Sequence, residues 1–513
     1  MATLSDRLHR AQQDFNAVIT VIPFDEHAVD ESPTLKGQPV AFKDIVDVAC
    51  VATTCGTKVK VGRAPVKDAP VVQRLTAKGA LPVAKANLQE FSYGILGDAS
   101  AYGRVINPRD PEICGGGSSS GSAALVACGA LQLTVGSDSA GSVRVPAACQ
   151  GVLGFKPTFG LIPVEGVFPF APSFDCIGFF ASSIDLIEQA FIATADEEPA
   201  AAQDVSALDV TALKAKGERF ADLLAVLEHS DFKLTEGVDL EDTIAATAEL
   251  YEPMRLKEVY DVHRPLLDQR ERYQDVILQR VLGGENISQV DYDAAAQGVE
   301  KLREKALGLL GDAPIILTPT LDSGPLKWSD ITPENTAESA ASLRRWTEPF
   351  NVLGWPAITV PLRSEDEEGV GDAVQVVGLE RQQPLVVPQR ERRDRVRPGQ
   401  PDARGRSDRC ATSAPADLRG AIGPGDRDGD GTGPTVHLLA VGIAHARCAS
   451  DRLGCLSVPS GGVDEPQTRN RHHGHPHLGR HHRGAVVVVV CVVLRHRRTT
   501  RHDPRIHPDG QRL

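Results

Sequence analysis

Three side chains in the first third of the sequence have the chemistry needed for nucleophilic catalysis: Lys43, Ser118 and Ser142. Ser118 lies in the run GGGSSSGS, and Ser142 follows 24 residues later in GSDSAGSVRVPAA. A serine hydroxyl becomes a strong nucleophile when a neighbouring base takes its proton. A lysine can be that base if burial keeps its amine neutral. The three residues could therefore attack a carbonyl carbon together.

The surroundings of Lys43 allow two interpretations. The residue ends the apolar run Val40-Ala41-Phe42, which predicts a strand. A lysine at a strand end is usually solvated and charged, and that interpretation stays open. The same apolar neighbours could instead bury the ammonium group and depress its pKa by several units.

The segments that must hold these residues, from Gly37 to about Gly160, alternate between strand-like and helix-like patterns. This alternation predicts an α/β sheet. PVAFKDIVDV predicts a strand that runs into a turn, and ALPVAKANL predicts another strand. Between them, DAPVVQRLTAKG predicts a helix capped by Asp68 and ended by Gly79. A crossover of that length implies parallel strands.

Both Gly/Ser-rich loops come directly before predicted helices. SAALVACGA and VPAACQG read as helices, with LQLTVGS as a buried strand between them. The first N–H groups of a helix have no partner within it, so they could bind a developing oxyanion. This context favours active-site loops over flexible linkers.

Taken together, these segments resemble the amidase signature family. The resemblance rests on GGSSSGSA, GSDSAGSVRVPAA, the lysine of AFKD, NLQEFSYG, GFKPTFG and PFNVLGWPAITVP, in that family's order and spacing. It covers roughly residues 30–380. It implies an α/β fold of α/β/α layers around a large, twisted, mixed central sheet, and it implies no cofactor and no metal.

The resemblance also implies roles for single residues. Ser142 would be the acylated nucleophile, and Ser118, in a non-proline cis peptide, would bridge it to neutral Lys43. The oxyanion hole would be formed by backbone N–H groups of Ser139, Ala140, Gly141 and Ser142.

Two of these loop positions differ from the commonest family pattern. Ala140 stands where the family usually has glycine, and allophanate hydrolases share this alanine. Ser139 stands where threonine is frequent. We interpret both as variations compatible with activity. Asp138 and Arg144 match charged family positions, and we expect them to form an ion pair that shapes the loop.

A different nucleophile and a metal site are the competing interpretations. GSSSG also fits the G-x-S-x-G elbow of α/β-hydrolases, which would make Ser119 the nucleophile and would need a downstream histidine such as His229 or His263. Both histidines fall in helical segments, which disfavours this interpretation. The run RHHGHPHLGRHH could bind nickel or zinc adventitiously, but a dedicated site needs a folded frame.

The composition changes after residue 381. Residues 382–513 contain no Lys, Phe, Tyr, Trp or Met, yet they hold 22 Arg and 11 of the 15 His. Such a segment cannot easily bury a core, so we predict an amidase domain over 1–381 and a disordered tail over 382–513. A frame-shifted translation is an alternative explanation of the tail.

Charge and hydropathy limit the partners. The formal net charge of -13 gives no reason to expect binding to nucleic acid or to acidic membranes. AVVVVVCVVL is about half the roughly 20 residues that a membrane span needs. The N-terminus lacks the apolar core of a secretory signal, so a cytoplasmic location is expected. A homodimer is left open.

The expected function is hydrolysis of a small carboxamide, carbamate or urea-like C–N bond through an acyl-enzyme on Ser142. The resemblance also allows the glutamine-hydrolysing component of a tRNA-dependent amidotransferase, its A subunit. A third alternative is an inactive product that has lost its native C-terminus. Neither the substrate nor the oligomeric state follows from the sequence.

Overall fold

The computed structural model describes most of the first 378 residues. The described ranges are 2–62, 64–196, 209–213, 233–238, 241–310, 315–361 and 373–378. The predicted tail and its histidine run lie outside the described residues, as does His229.

The described strands form one mixed sheet of 11 strands. Its members are β1 (Val18–Val21), β2 (Pro39–Lys43), β3 (Leu81–Ala86), β4 (Leu133–Asp138), β5 (Leu153–Lys156), β6 (Cys176–Ala181), β7 (Asp209–Leu213), β8 (Lys233–Val238), β9 (Ile315–Pro319), β10 (Ala357–Pro361) and β11 (Ala373–Gly378). The strand order is β1-β3-β2-β4-β6-β5-β10-β11-β9-β7-β8. Strand β2 pairs in parallel with β3 and β4, which confirms the prediction from the crossover length.

Helices cover both faces of this sheet. They are α1 (Leu4–Phe15), α2 (Pro70–Ala77), α3 (Ser120–Ala127), α4 (Arg144–Gln150), α5 (Ile184–Thr194), α6 (Glu241–His263), α7 (Asp275–Leu282), α8 (Gln289–Leu310), α9 (Thr336–Arg344) and α10 (Glu348–Val352). The α/β/α layering is as predicted. Among the described residues, no helix combines the length and the hydropathy that crossing a membrane would require.

Strand β2 shows how the layers place the lysine. Successive side chains of a strand point to opposite faces. Val40 and Phe42 lie in the hydrophobic core that also contains α2 and α5. Ala41 packs in the separate core formed with α1 and α3. Lys43 is next in this alternation, so it leaves the sheet on the face of α3, the helix that begins shortly after Ser118.

Three predictions from sequence pattern were wrong: the Asp68 cap of α2, a strand-like run over PFNVLGWPAITVPL, and a helical segment over residues 195–310. Asp68 does not cap α2, because Ala69 is the N-cap and the Asp68 carboxylate accepts the Ala49 N–H. The first part of PFNVLGWPAITVPL is the helix α10, since only its second half enters the sheet. Residues 195–310 are not wholly helical, because β7 and β8 add two strands at the edge of the sheet.

Candidate active site

Lys43 is fully buried at the end of β2. Its Nζ lies 2.6 Å from Ser118 Oγ and 2.8 Å from Ser137 Oγ, the latter at the end of the neighbouring strand β4. Burial lowers the pKa of Lys43 to about 7, although the nearby carboxylates of Asp175 and Asp138 oppose the shift. A large fraction of this amine is therefore neutral near pH 7 and can accept a proton.

Ser118 is held in place by its backbone. The Gly117–Ser118 peptide bond is cis, as the resemblance implied. The Ser118 carbonyl accepts the N–H of Gln89 at 3.0 Å, and the residue comes just before the first turn of α3. Glycine is needed at position 117 because a Cβ there would lie 2.8 Å from the Gly97 nitrogen. The backbone thus directs the Ser118 hydroxyl at Lys43.

Ser142 lies in the short loop between β4 and α4. Its carbonyl accepts the N–H of Ser119 at 3.3 Å, which ties this loop to the loop that carries Ser118. Ser142 is 7% exposed, and that small opening faces a cavity. Within the described part of the chain, no hydrogen bond joins the hydroxyls of Ser142 and Ser118. A relay between them requires the Ser142 side chain to turn towards Ser118.

The loop before Ser142 presents backbone donors to the same cavity. Ser139 and Ala140 line the cavity, and the N–H groups of Ser139, Ala140 and Ser142 meet no acceptor in the described residues. The Gly141 N–H instead donates to Asp138 Oδ1 at 2.8 Å. In this geometry, three of the four predicted oxyanion donors are free.

Asp138 and Arg144 form the expected ion pair. Burial by itself would raise the pKa of Asp138, but the Arg144 guanidinium outweighs it and holds that pKa well below its ordinary value. Arg144 also donates to the Thr347 carbonyl at 2.8 Å and to Gln375 Oε1 at 2.6 Å. The pair therefore ties the loop to α10 and β11, which come about 200 residues later.

A cavity of about 610 Å³ opens above the loop. Its lining includes residues of the segment 92–98, the loop with Ser142, Phe170, and side chains from α6, α7 and α9. The charged residues of the lining carry both signs: Asp98, Glu252, Arg255, Arg280 and Arg344. The volume lies within the range usual for small-molecule sites.

Sequence reasoning missed three residues here. Ser137 contacts Lys43, Asp175 accepts a hydrogen bond from Ser139, and Tyr251 lines the cavity. Ser137 was within reach, because it stands between the glycine and aspartate of GSDSAGS. Asp175 in SFDCIGFF and Tyr251 in a long helix carry no local sign of their position.

Among the residues that the structure describes, the competing nucleophile Ser119 contacts no base. Ser119 Oγ donates to the carbonyl of Ser137 at 3.2 Å. His263 is buried among Phe91, Phe168 and Tyr273, and its Nδ1 bonds the Tyr273 hydroxyl. In the described ranges, no three His, Cys, Asp or Glu side chains converge as metal ligands.

Comparisons with known proteins agree with the fold. Residues 2–223 match the family model Amidase. The A subunit of the glutamyl-tRNA(Gln) amidotransferase of Koribacter versatilis is 46% identical over 155 residues, which are 30% of this chain and 32% of that protein. AtzE of Pseudomonas sp., which belongs to a 1-carboxybiuret hydrolase, is 41% identical over 168 residues, 33% of this chain and 37% of that protein. The chain thus spans about a third of the length of these curated relatives.

Solved structures extend the likeness over most of the described chain. A crystal structure of an amidase is 28% identical with a TM-score of 0.63, covering 74% of this chain and 91% of that one. The A subunit of the glutamyl-tRNA(Gln) amidotransferase from Thermotoga maritima is also 28% identical, with a TM-score of 0.60, covering 73% of this chain and 86% of that one. Allophanate hydrolase from Kluyveromyces lactis is 25% identical, with a TM-score of 0.65, covering 74% of this chain and 68% of that one. In the residues that match the family model and in its fold, this chain is thus similar to the amidase signature family.

Proposed function

We propose that the chain hydrolyses a small polar carboxamide, carbamate or urea-like compound through an acyl-enzyme on Ser142. The observation that carries this proposal is the buried contact between Lys43 Nζ and Ser118 Oγ beside a cavity that reaches Ser142. A buried amine with a lowered pKa is suited to general-base catalysis at neutral pH. The proposal assigns the chemistry to the predicted domain 1–381.

The geometry supports a two-step reaction. Ser142 Oγ attacks the carbonyl carbon while its proton passes through the Ser118 hydroxyl to Lys43. The tetrahedral oxyanion accepts hydrogen bonds from free N–H groups of the loop, and each such donor is worth about 3–4 kcal/mol in other hydrolases. The Lys43 ammonium then protonates the leaving nitrogen, the C–N bond breaks, and water releases the acyl group by the reverse proton path.

The cavity favours a polar substrate of modest size. The hydroxyls of Ser92 and Tyr251 are buried, line the cavity and have no hydrogen-bond partner in the described residues. An unpaired buried hydroxyl is unfavourable, so a substrate that bonds it gains affinity. A purely aliphatic acyl chain would leave both hydroxyls unsatisfied. We expect at least two polar groups on the substrate besides the scissile bond.

A fluorophosphonate probe tests the nucleophile. We expect the purified full chain to react with the probe and mass spectrometry to place the adduct on Ser142. Ser142→Ala should form no adduct, whereas Ser119→Ala, which removes the competing nucleophile, should still form it. An adduct on another residue would overturn the assignment. Lack of any adduct on the folded wild-type chain would favour the inactive-product alternative.

A substrate panel tests the reaction. Ammonia release should be measured with simple carboxamides, ureas and carbamates, with Ser142→Ala as the blank. Turnover of at least one class that disappears in Ser142→Ala is the expected result. Equal turnover by the wild type and the variant would contradict the proposal.

Glutamine hydrolysis is the second candidate because the relative that is 46% identical is the A subunit of an amidotransferase. In that case the chain would act with partner proteins, and glutamine would be its preferred amide. Release of glutamate and ammonia from glutamine, faster than from any other member of the panel, would favour this candidate. A preference for ureas or carbamates would favour the stand-alone hydrolase.

A further inference from the structure

Asp175 lies just before β6, close to the proposed catalytic loop. Its carboxylate accepts three hydrogen bonds. The backbone N–H groups of Phe170 and Ala171 donate at 2.9 and 3.0 Å, and the Ser139 hydroxyl donates at 2.5 Å. Two backbone donors fix the orientation of this carboxylate, so it can act as a rigid anchor for Ser139.

Ser139 is the first residue of the loop whose free N–H groups face the cavity. The residue is 4% exposed, and the hydrogen bond to Asp175 is the contact that fixes its hydroxyl. A side chain that is fixed on one side of the Cα restricts the direction of the adjacent backbone N–H. Asp175 therefore influences where the first free donor of the loop points.

Asp175 also acts electrostatically on Lys43. A small cavity of about 50 Å³ is lined by both Asp175 and Ser137, and Ser137 Oγ accepts a hydrogen bond from Lys43 Nζ. Three titratable groups act on this amine: Asp175 before β6, Asp138 at the end of β4 and Cys55 in the loop after β2. Asp138 is neutralised by Arg144, whereas Asp175 has hydroxyl and N–H partners but no arginine or lysine bonded to it in the described residues.

We propose that Asp175 is a positioning residue that couples the two halves of the centre, holding Ser139 in the oxyanion loop and stabilising the positive charge that Lys43 acquires during acylation. This inference rests on the proposed function, because it assumes acylation of Ser142 with Lys43 as the base. No bond to Asp175 forms or breaks in the reaction.

The two roles predict different phenotypes. Asp175→Asn removes the negative charge, which should lower the pKa of Lys43 and move the acid limb of the labelling rate to lower pH. It should also slow labelling at the plateau by about 10-fold or more, since the loop loses its anchor. Ser139→Ala should slow the plateau similarly without moving the acid limb. Ser139→Thr should restore the wild-type rate.

Asp47→Asn is the matched control. Asp47 is also partly buried and accepts the Thr53 hydroxyl at 2.7 Å on another loop. The pH profile and labelling rate of Asp47→Asn should equal those of the wild type. This result would show that loss of a carboxylate–hydroxyl pair alone neither slows labelling nor moves the acid limb.

The experiment measures the second-order rate of fluorophosphonate labelling from pH 5 to 9 for each full-length chain. A wild-type rate and profile for Asp175→Asn would overturn the inference while leaving the function intact. Failure of the wild type itself to label Ser142 would overturn the function instead. If Asp175→Asn does not fold, the Ser139 variants decide. A labelling rate that is slowed in Ser139→Ala and at the wild-type value in Ser139→Thr would support the anchoring role of Asp175. An unchanged rate in Ser139→Ala would rule that role out.

Discussion

Asp138 and Arg144 form a doubly hydrogen-bonded ion pair with both side chains fully buried. Arg144 Nη2 lies 2.8 Å from Oδ1 of Asp138, and Nε lies 3.0 Å from Oδ2. The same carboxylate accepts the N–H groups of Gly141 and Val143, on either side of Ser142. The pair thus determines the shape of the loop that presents the proposed nucleophile.

Removing one partner of this pair should destabilise the fold strongly. Arg144→Met leaves the Asp138 carboxylate buried without its cation, for which about 3–5 kcal/mol is typical. Arg345→Met is the control, because the pair between Arg345 and Glu241 is 41% exposed on both sides and is worth at most about 1 kcal/mol. Denaturant titrations of both variants would measure the difference. Equal losses would mean that the buried pair has no special role.

The pH dependence of acylation should follow Lys43. Protonated Lys43 cannot accept the serine proton, so the rate is low below the lysine pKa and rises as pH increases through about 7. Lys43→Ala should lose labelling by several orders of magnitude. Rates of fluorophosphonate labelling across pH 5 to 9 would measure both effects. A flat wild-type profile over that range would rule out Lys43 as the base.

Substitution of Gly141 should impair the loop. Gly141 has a φ of +121°, and a Cβ there would lie 2.1 Å from Thr347 Oγ1. Either the backbone or Thr347 must move, and misplacing reacting groups by about 1 Å can slow a reaction about 100-fold. We therefore expect Gly141→Ala to label at least that much more slowly.

Gly129→Ala is the matched control for this substitution. Gly129 also has a positive φ, of +71°, but a Cβ there would meet no atom within 4 Å. Its labelling rate should stay at the wild-type value, although its stability should fall by about 1 kcal/mol. A slow Gly129→Ala would indicate that backbone conformation, rather than the collision with Thr347, controls the rate.

His263 should make the fold sensitive to acid. Burial lowers its pKa from 6.5 to about 4, so the unfolded chain binds a proton at a pH where the folded chain does not. Stability is therefore complete above about pH 6.5 and falls as pH decreases towards 4, by about 2 kcal/mol at pH 5. Unfolding free energies at pH 7 and pH 5 should show this loss in the wild type and a smaller loss in His263→Phe.

The comparison of the wild type with His263→Phe isolates the contribution of the buried ring. If His263→Phe lost as much stability at pH 5 as the wild type, other groups would account for the acid sensitivity.

The sequence predicted those parts of the site that depend on local pattern. Lys43 follows three apolar strand residues, and Ser118 and Ser142 precede helices. Periodicity and turn chemistry were therefore sufficient to place the lysine at a strand end and the two serines in loops before helices. Contacts between distant segments were not predictable in this way. The hydrogen bond of Ser139 to Asp175 joins residues 36 positions apart, and Arg144 reaches Gln375 across 231. Such pairings are set by the packing of the whole sheet, and no periodic pattern in the sequence indicates them.

The edge of the sheet was missed for a related reason. Strands β7 and β8 are five and six residues long and lie in a stretch dominated by Ala, Glu and Leu. Averaged over a helix-sized window, that composition favours helix, and short edge strands disappear in the average. Pairing with β9, rather than local propensity, selects the strand conformation here.

The cavity is built from two separate stretches of chain. The proposed reacting groups lie between residues 43 and 142, whereas much of the remaining lining comes from α6, α7 and α9, between residues 251 and 344. Substitutions that alter which molecules enter can therefore accumulate in one stretch without touching the groups that cleave them. An architecture of this kind lets a lineage change its range of substrates while inheriting its chemistry unchanged.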